Sequence, residues 1–442
     1  MKTINLGLHR NKLAESPLFV VSGKVTRVVG LVVEVKGMRA SIGDICEIEI
    51  AGRQKRLTAE VVGFRDDLSI LMPLGDLEGI SPGCKVTSMG KNFKIEVGTE
   101  LLGRIVNGLG EVISSEKPDL SGARYPIHNE PPEPLRRRNI TDALETGIKA
   151  VDALLTCGTG QRMGIFAGSG VGKSTLLGMM ARNSSADVNV IALIGERGRE
   201  VLEFVENDLG PEGLARSVVV VSTSDQPALL RVKAALVATT IAEYFRDQGK
   251  NVLLMMDSIT RFAMAQREIG LAVGEPPTSI GYTPSVFALL PKLLERAGNV
   301  KDGSITGLYT ILVEGDDMNE PIADAARGIL DGHIVLSRKI ATQNHFPAID
   351  VLESISRLMP ALTEASHRNL ASQLRHDLAL YNSNQDLINI GAYEKGSNPQ
   401  IDAAITNHPR IVEFLKQDVN ETFTMQTTLA KLAAIFESGG QK

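Results

Sequence analysis

Between residues 140 and 360 the chain alternates apolar runs of strand length with longer stretches of helical spacing. The apolar runs are 188–194, 217–222, 252–256, 304–313 and 333–336, and the helical stretches include 198–209 and 227–247. Strands that are apolar throughout are buried on both faces, so the pattern predicts a largely parallel sheet covered by helices on both sides. Residues 18–97 read differently. Short β-branched runs divided by glycine, some alternating as in Cys46-Glu47-Ile48-Glu49-Ile50, predict a small closed or sandwiched β domain. Residues 98–139 are rich in glycine and proline and read as a connection. From 361 to 442 the apolar positions, among them Leu370, Leu374 and Leu378, predict a small helical domain. Residues 1–17 form a short polar segment with no readable role.

Composition narrows the function classes. The 442 residues carry a net charge of -5, no tryptophan and only 4% aromatics, which argues against a nucleic-acid surface and leaves the β domain a structural or subunit-contact role. No run is long and apolar enough to cross a bilayer and the first residues lack a signal-peptide core, so a cytoplasmic protein is expected. The three cysteines, Cys46, Cys84 and Cys157, are far apart and show no zinc spacing; buried thiols are expected. The triplet Arg136-Arg137-Arg138 suits a phosphate or a solvated patch and stays unassigned.

In a parallel sheet, ligands gather at the carboxyl ends of the strands, so the residues that follow each strand are the candidates for chemistry. Ala167-Gly168-Ser169-Gly170-Val171-Gly172-Lys173-Ser174-Thr175 follows one apolar run and opens a helix. Glycines there let backbone N–H groups turn in on phosphate oxygens, and the helix start adds its own N–H groups and dipole. Lys173 would reach the β- and γ-phosphates and Ser174 would complete the coordination of Mg²⁺. Ala167 departs from the strict motif, which has glycine in that place. Asp257 ends the 252–256 run and is the candidate for the Mg²⁺ shell. Glu196, one step past the strand ending at Ile194, suits the group that orients or deprotonates an attacking water. Glu200, four residues along a predicted helix, is either a ligand of the Mg²⁺ hydration shell or an exposed carboxylate. Arg197 and Arg199 are equally suited to ion pairing and to catalysis.

These motifs resemble the catalytic subunit of the rotary ATPase superfamily, and most of all the flagellar and type III protein-export ATPases. The resemblance runs from about residue 18 onward. It rests on Gly195-Glu196-Arg197-Gly198-Arg199-Glu200, on Met256-Asp257-Ser258-Ile259-Thr260-Arg261-Phe262-Ala263, on Gly274-Glu275-Pro276-Pro277, and on the stretch from Pro347 to Arg357. The loop variant that begins with Ala167 is also the one that export ATPases resemble. The resemblance implies a β-barrel, a RecA-like P-loop domain and a helical C-terminal domain, with ATP and Mg²⁺ as cofactors. It places Arg261 near the γ-phosphate and Phe346 against the adenine, with a second adenine contact from the Phe414 to Gln417 region. It makes Arg357 an arginine finger offered to the neighbouring subunit of a homohexamer. It also implies a peripheral place on the inner face of the cell membrane. The implied partners are export-gate membrane proteins, a stator-like regulator, a coiled-coil stalk protein and export chaperone-substrate complexes, with no nucleic acid. Two other readings compete: a proton- or sodium-linked rotary synthase subunit, against which stands the absence of an acidic run in the C-terminal helices, and an RNA-translocating ring helicase.

Overall fold

The computed structural model describes residues 21–50, 56–90, 93–113, 123–313, 315 and 317–437; the expected short segment 1–17 lies outside the described residues. The chain divides into two compact units, Met1–Lys94 with Glu268–Glu275, and Ile95–Arg267 with Pro276–Lys442.

In the first unit, six antiparallel strands close a barrel in the order Ser22–Val29, Val32–Lys36, Leu68–Pro73, Leu57–Arg65, Ile45–Ile48, Lys85–Ser88. Alternation explains the closure. Val25, Val33, Val35, Cys46, Ile48, Val61, Leu71 and Val86 point inward and form one cluster, while the residues between them face out. Glu34 is buried in this wall and accepts hydrogen bonds from Arg27 Nε and Nη2, at 3.0 and 2.9 Å, which hold its carboxyl below the ordinary range against the pull of burial.

The second unit is built on a sheet whose order is Ile349–Ser356, Gly332–Leu336, Arg162–Ala167, Ser304–Leu312, Asn251–Asp257, Val188–Ile194, Ser217–Ser222, Arg104–Asn107. All of these neighbours pair in parallel except the edge strand Ile349–Ser356, which runs antiparallel to Gly332–Leu336. The mostly parallel sheet predicted from the apolar runs is therefore present. Every residue of Val188–Ile194 is buried. The helices Lys173–Asn183 and Ala228–Asp247 turn their apolar sides to buried positions.

Three details differ from the sequence pattern. The 98–139 stretch is not only connection: Arg104–Asn107 joins the sheet as its outer parallel strand, too short at four residues to show a period. Ile349–Ser356, with no strict alternation, is the other edge. The helix expected over 198–209 is α-helical only over Gly198–Glu203 and widens to a π-turn at Phe204–Leu209. That widening has a packing cause. Phe204 and Leu209 both reach the core, and the Asp208 carbonyl comes so close to the helix Lys173–Asn183 that a Cβ on Gly178 would stand 2.5 Å from it.

The C-terminal helices Ala365–Asn389, Pro399–Leu415 and Met425–Glu437 do not make a separate core. Leu374, Ile411, Phe414, Leu432 and Ile435 belong to the same apolar cluster as Leu154, Met163 and Leu177 of the sheet domain.

A buried ion pair also ties this unit together. Arg296 lies almost wholly inside, donating to Glu243 from Nε and Nη2, both at 2.8 Å, to the Ile127 carbonyl at 2.8 Å and to Thr240 Oγ1 at 2.9 Å. Removing one partner strands the other charge in a low dielectric. Arg296→Met is therefore expected to lower stability by about 3–5 kcal/mol, and the double change Arg296→Met with Glu243→Leu by clearly less. Urea unfolding of the three proteins checks this; equal losses in the single and double variants would contradict it.

Candidate functional site

The strand Arg162–Ala167 is buried almost to its first residue and fixes where the chain emerges from the sheet. The following turn needs glycine. Gly170 and Gly172 have φ of 77° and 87°, the left-handed region that side chains disfavour, and the helix Lys173–Asn183 starts directly after them. Above the turn opens a cavity of about 710 Å³ lined by Gly168, Ser169, Gly170, Gly172, Lys173, Ser174 and Thr175, and by Glu196, Glu200, Arg261 and Arg338. Val171 does not line it; its side chain is buried in the core.

Sheet order explains how residues far apart in sequence meet here. Ser304–Leu312 lies between Arg162–Ala167 and Asn251–Asp257, and Val188–Ile194 follows on the far side of Asn251–Asp257. Lys173 reaches across one strand. Its Nζ donates to Asp257 Oδ1 at 2.5 Å and stands 3.7 Å from Glu196 Oε1. The intervening strand contributes Thr310, whose Oγ1 donates to the same Asp257 oxygen at 2.7 Å. Asp257 is only 3% exposed, so it faces the lysine from behind the cavity.

The environments of the two glutamates push their acidities apart. Burial pushes the Glu196 carboxyl up to about 7, and the nearby Asp257 charge adds to the rise against the pull of Lys173. Glu200 is less buried. Burial works against its ionisation, yet its hydrogen bond with Glu196 and the Arg197 N–H hold its carboxyl below the ordinary range. Near neutral pH, Glu196 is thus poised to exchange a proton while Glu200 stays ionised. Glu196 Oε1 is buried and accepts no hydrogen bond among the described residues. The Ser174 hydroxyl and the ionised Glu200 line the same cavity with Asp257 behind it, oxygen donors of the kind a hard divalent cation such as Mg²⁺ takes.

The cations have distinct places. Arg261 lines the cavity, with its Nε buried and bonded to nothing else among the described residues. Arg197 and Arg199 are largely exposed and sit 3.7 and 3.0 Å from Glu200 and Glu203, as ion pairs. Arg338 escaped the sequence reading. It follows the strand Gly332–Leu336, the sheet neighbour of Arg162–Ala167, and its Nη2 donates to the Ser169 carbonyl at 3.5 Å. The rule that picked out Glu196 and Asp257, attention to residues just past a strand end, applies to it equally.

Phe346 is 43% exposed and its ring lies 3.5 Å from where a Cβ on Gly172 would stand, beside the loop. Its carbonyl accepts from Gln417 N at 3.0 Å, which joins the C-terminal helices to this rim. Phe414, from the region expected to supply a second adenine contact, is instead buried in the core cluster, and its ring lies under Lys149. Arg357 is not brought to the cavity. It follows the antiparallel edge strand, in which Ile349 pairs with Leu336 at the cavity end and Ser356 with Gly332 at the other. There it is exposed, with Nη2 donating to the Arg327 carbonyl at 3.3 Å. The three cysteines are free thiols, buried, and none lines the cavity.

Known proteins share this architecture. Residues 147–356 match the ATP synthase alpha/beta family, nucleotide-binding domain; residues 25–90 match the beta-barrel domain of the same family; residues 363–434 match the T3SS EscN ATPase C-terminal domain. The flagellum-specific ATP synthase of Bacillus subtilis (strain 168) is 54% identical over 93% of this chain and 94% of its own length. The type 3 secretion system ATPase of Xanthomonas euvesicatoria is 51% identical over 93% of each. Among solved structures, the assembled ATPase EscN from the enteropathogenic E. coli type III secretion system superposes with a TM-score of 0.89 at 47% identity, covering 93% of this chain and 99% of EscN. EscN in complex with its central stalk EscO gives 0.87 at 46% identity, with the same coverage. The chain belongs to the ATP synthase alpha/beta family, in the branch of flagellar and type III protein-export ATPases, and its P-loop cavity is that of an ATP-binding ATPase.

Proposed function

We propose that the chain hydrolyses ATP with Mg²⁺ as one subunit of a homohexamer in a flagellar or type III export apparatus, and that turnover drives release and delivery of export substrates. The observation that carries the shared-site part is the position of Arg357, exposed at the end of its strand remote from its own cavity while the other candidates gather around the loop. A head-to-tail contact that closes into a ring would bring it to the neighbour's cavity. The match of residues 363–434 to the EscN C-terminal domain supports export over a proton- or sodium-linked synthase.

The residues divide the work as follows. Backbone N–H groups from Gly168 to Gly172, with the start of the helix at Lys173, receive the phosphates. Lys173 leaves the Asp257 carboxylate for the β- and γ-phosphate oxygens, and Asp257, freed, is available to the water shell of a cation. Ser174, with Glu200 and Asp257 around the hydration shell, would hold Mg²⁺, which would supply neutralisation of phosphate charge. Glu196 takes a proton from the attacking water, and the ionised Glu200 beside it stabilises the protonated form. Arg261 faces the γ-phosphate. Arg357 of the adjacent subunit adds a guanidinium to the transition state, worth about 10³ to 10⁵ in rate in related enzymes. Phe346 stacks on the adenine. The proposed partners are a coiled-coil central stalk, for which the EscN complex with EscO is the precedent, export-gate membrane proteins, a stator-like regulator and chaperone-substrate complexes. No helix of the described residues is long and apolar enough to cross a membrane, in keeping with a cytoplasmic ATPase held peripherally at the inner face of the cell membrane.

Two outcomes are expected. If Glu196 is the base, it must lose its proton to work, so kcat/KM falls as pH drops through about 7 and levels off above it. Glu196→Gln should lower kcat by about 10² to 10⁴ and abolish that inflection; a pH–rate profile of both proteins decides, and an inflection that survives in the variant assigns it elsewhere. Lys173→Ala and Arg357→Ala subunits, each inactive alone, should recover part of the activity when mixed, because some interfaces regain both residues. Absence of any recovery in demonstrably mixed rings would count against a site completed in trans.

A further inference from the structure

A second cavity, of about 350 Å³, lies where the helices Pro399–Leu415 and Met425–Glu437 meet the start of the helix Lys149–Leu154. It shares no lining residue with the nucleotide cavity. Its charged lining is unbalanced: Lys149, Arg410, Lys416 and Lys431 face Glu413 and Glu421.

Lys149 is the decisive residue. It is 6% exposed, and its ammonium makes no ion pair within 4 Å among the described residues. Instead it lies over aromatic rings, 4.7 Å from the Phe423 centroid and 5.8 Å from that of Phe414. The Lys431 ammonium stands 5.3 Å from the same Phe423 ring. Two like charges therefore share one ring at the mouth of an open space. Burial pushes the Lys149 amine below its ordinary value, Glu421 partly restores it, and the Lys431 charge lowers it again. Cation–π contacts offset part of the cost of burying an ammonium, but they do nothing for the repulsion between two of them. Arg410, whose Nη1 donates to the Ile435 carbonyl at 3.3 Å, adds a third cation from the neighbouring helix.

We infer that this cavity is a binding site for a small phosphate-bearing anion, distinct from the ATP site. A ligand with several negative oxygens meets Lys149, Lys431 and Arg410 at once, as cations on three separate helices require. The volume lies in the range of small-molecule sites. The site lies close to the catalytic one without overlapping it. Gln417 separates them, accepting from Lys149 N at 2.9 Å through its side chain while its own N–H donates to the Phe346 carbonyl at 3.0 Å.

Because a P-loop also binds phosphate, the test fills it first. The full chain is saturated with Mg²⁺ and adenylyl imidodiphosphate, which occupies the γ-phosphate position, and inorganic phosphate is then titrated in by calorimetry. Saturable binding is expected, weakened about tenfold or more in Lys149→Met and in Lys431→Ala. Lys431 is exposed, so its replacement leaves the fold and the affinity for the nucleotide analogue unchanged even if the buried Lys149 variant proves unstable. Absence of saturable phosphate binding in the analogue-loaded protein, or equal affinity in the wild type and Lys431→Ala, would overturn the assignment.

Discussion

The contact on which the rest of the site depends is the ammonium of Lys173 held against Asp257 Oδ1, with Glu196 on its other side. A half-buried lysine between carboxylates is stable where each charge has its partner, and here the parallel sheet brings the three groups together from three strand ends. The loop glycines set where Lys173 begins, Thr310 holds Asp257 from the intervening strand, and Val188–Ile194 delivers Glu196. In the proposed mechanism, entering phosphates draw the lysine away from Asp257, and the carboxylates it leaves would then be available to a cation and an attacking water.

The same charge balance bears on the proposal that the site is completed by a neighbouring chain. Lys173, Arg197, Arg261 and Arg338 line the cavity with Glu196 and Glu200, with Asp257 behind them and Arg197 paired to Glu200, so much of the positive charge is already matched before a triphosphate arrives. Arg357 would add positive charge, but its own strand carries it to the other end of the sheet edge. On this account a ring is a requirement of the chemistry as well as a mode of assembly.

Much of this was legible in the sequence because the relevant signals are local. Continuous apolar runs fixed the buried strands, and the residue after each run supplied Glu196 and Asp257. The glycine spacing identified the loop. What was hidden is non-local. Nothing in the order of residues says that Ser304–Leu312, late in the chain, inserts between the loop strand and the Asp257 strand, so neither the Lys173–Asp257 contact nor the part played by Thr310 could be read. Arg104–Asn107 was too short to declare itself a strand, whereas Arg338, just past the 333–336 run, was within reach of the rule that picked out Glu196 and was overlooked. The family resemblance implied an adenine contact from the region Phe414 to Gln417; Phe414 itself is buried beneath Lys149, in the core and in the wall of the second cavity.

The central claim, that catalysis needs a residue from the adjacent chain, is tested most directly by specific ATPase activity measured across a dilution series in which the oligomer is followed by light scattering. The account predicts that activity per chain collapses as the oligomer dissociates and returns on reconcentration. Constant activity per chain in demonstrably monomeric protein would contradict it.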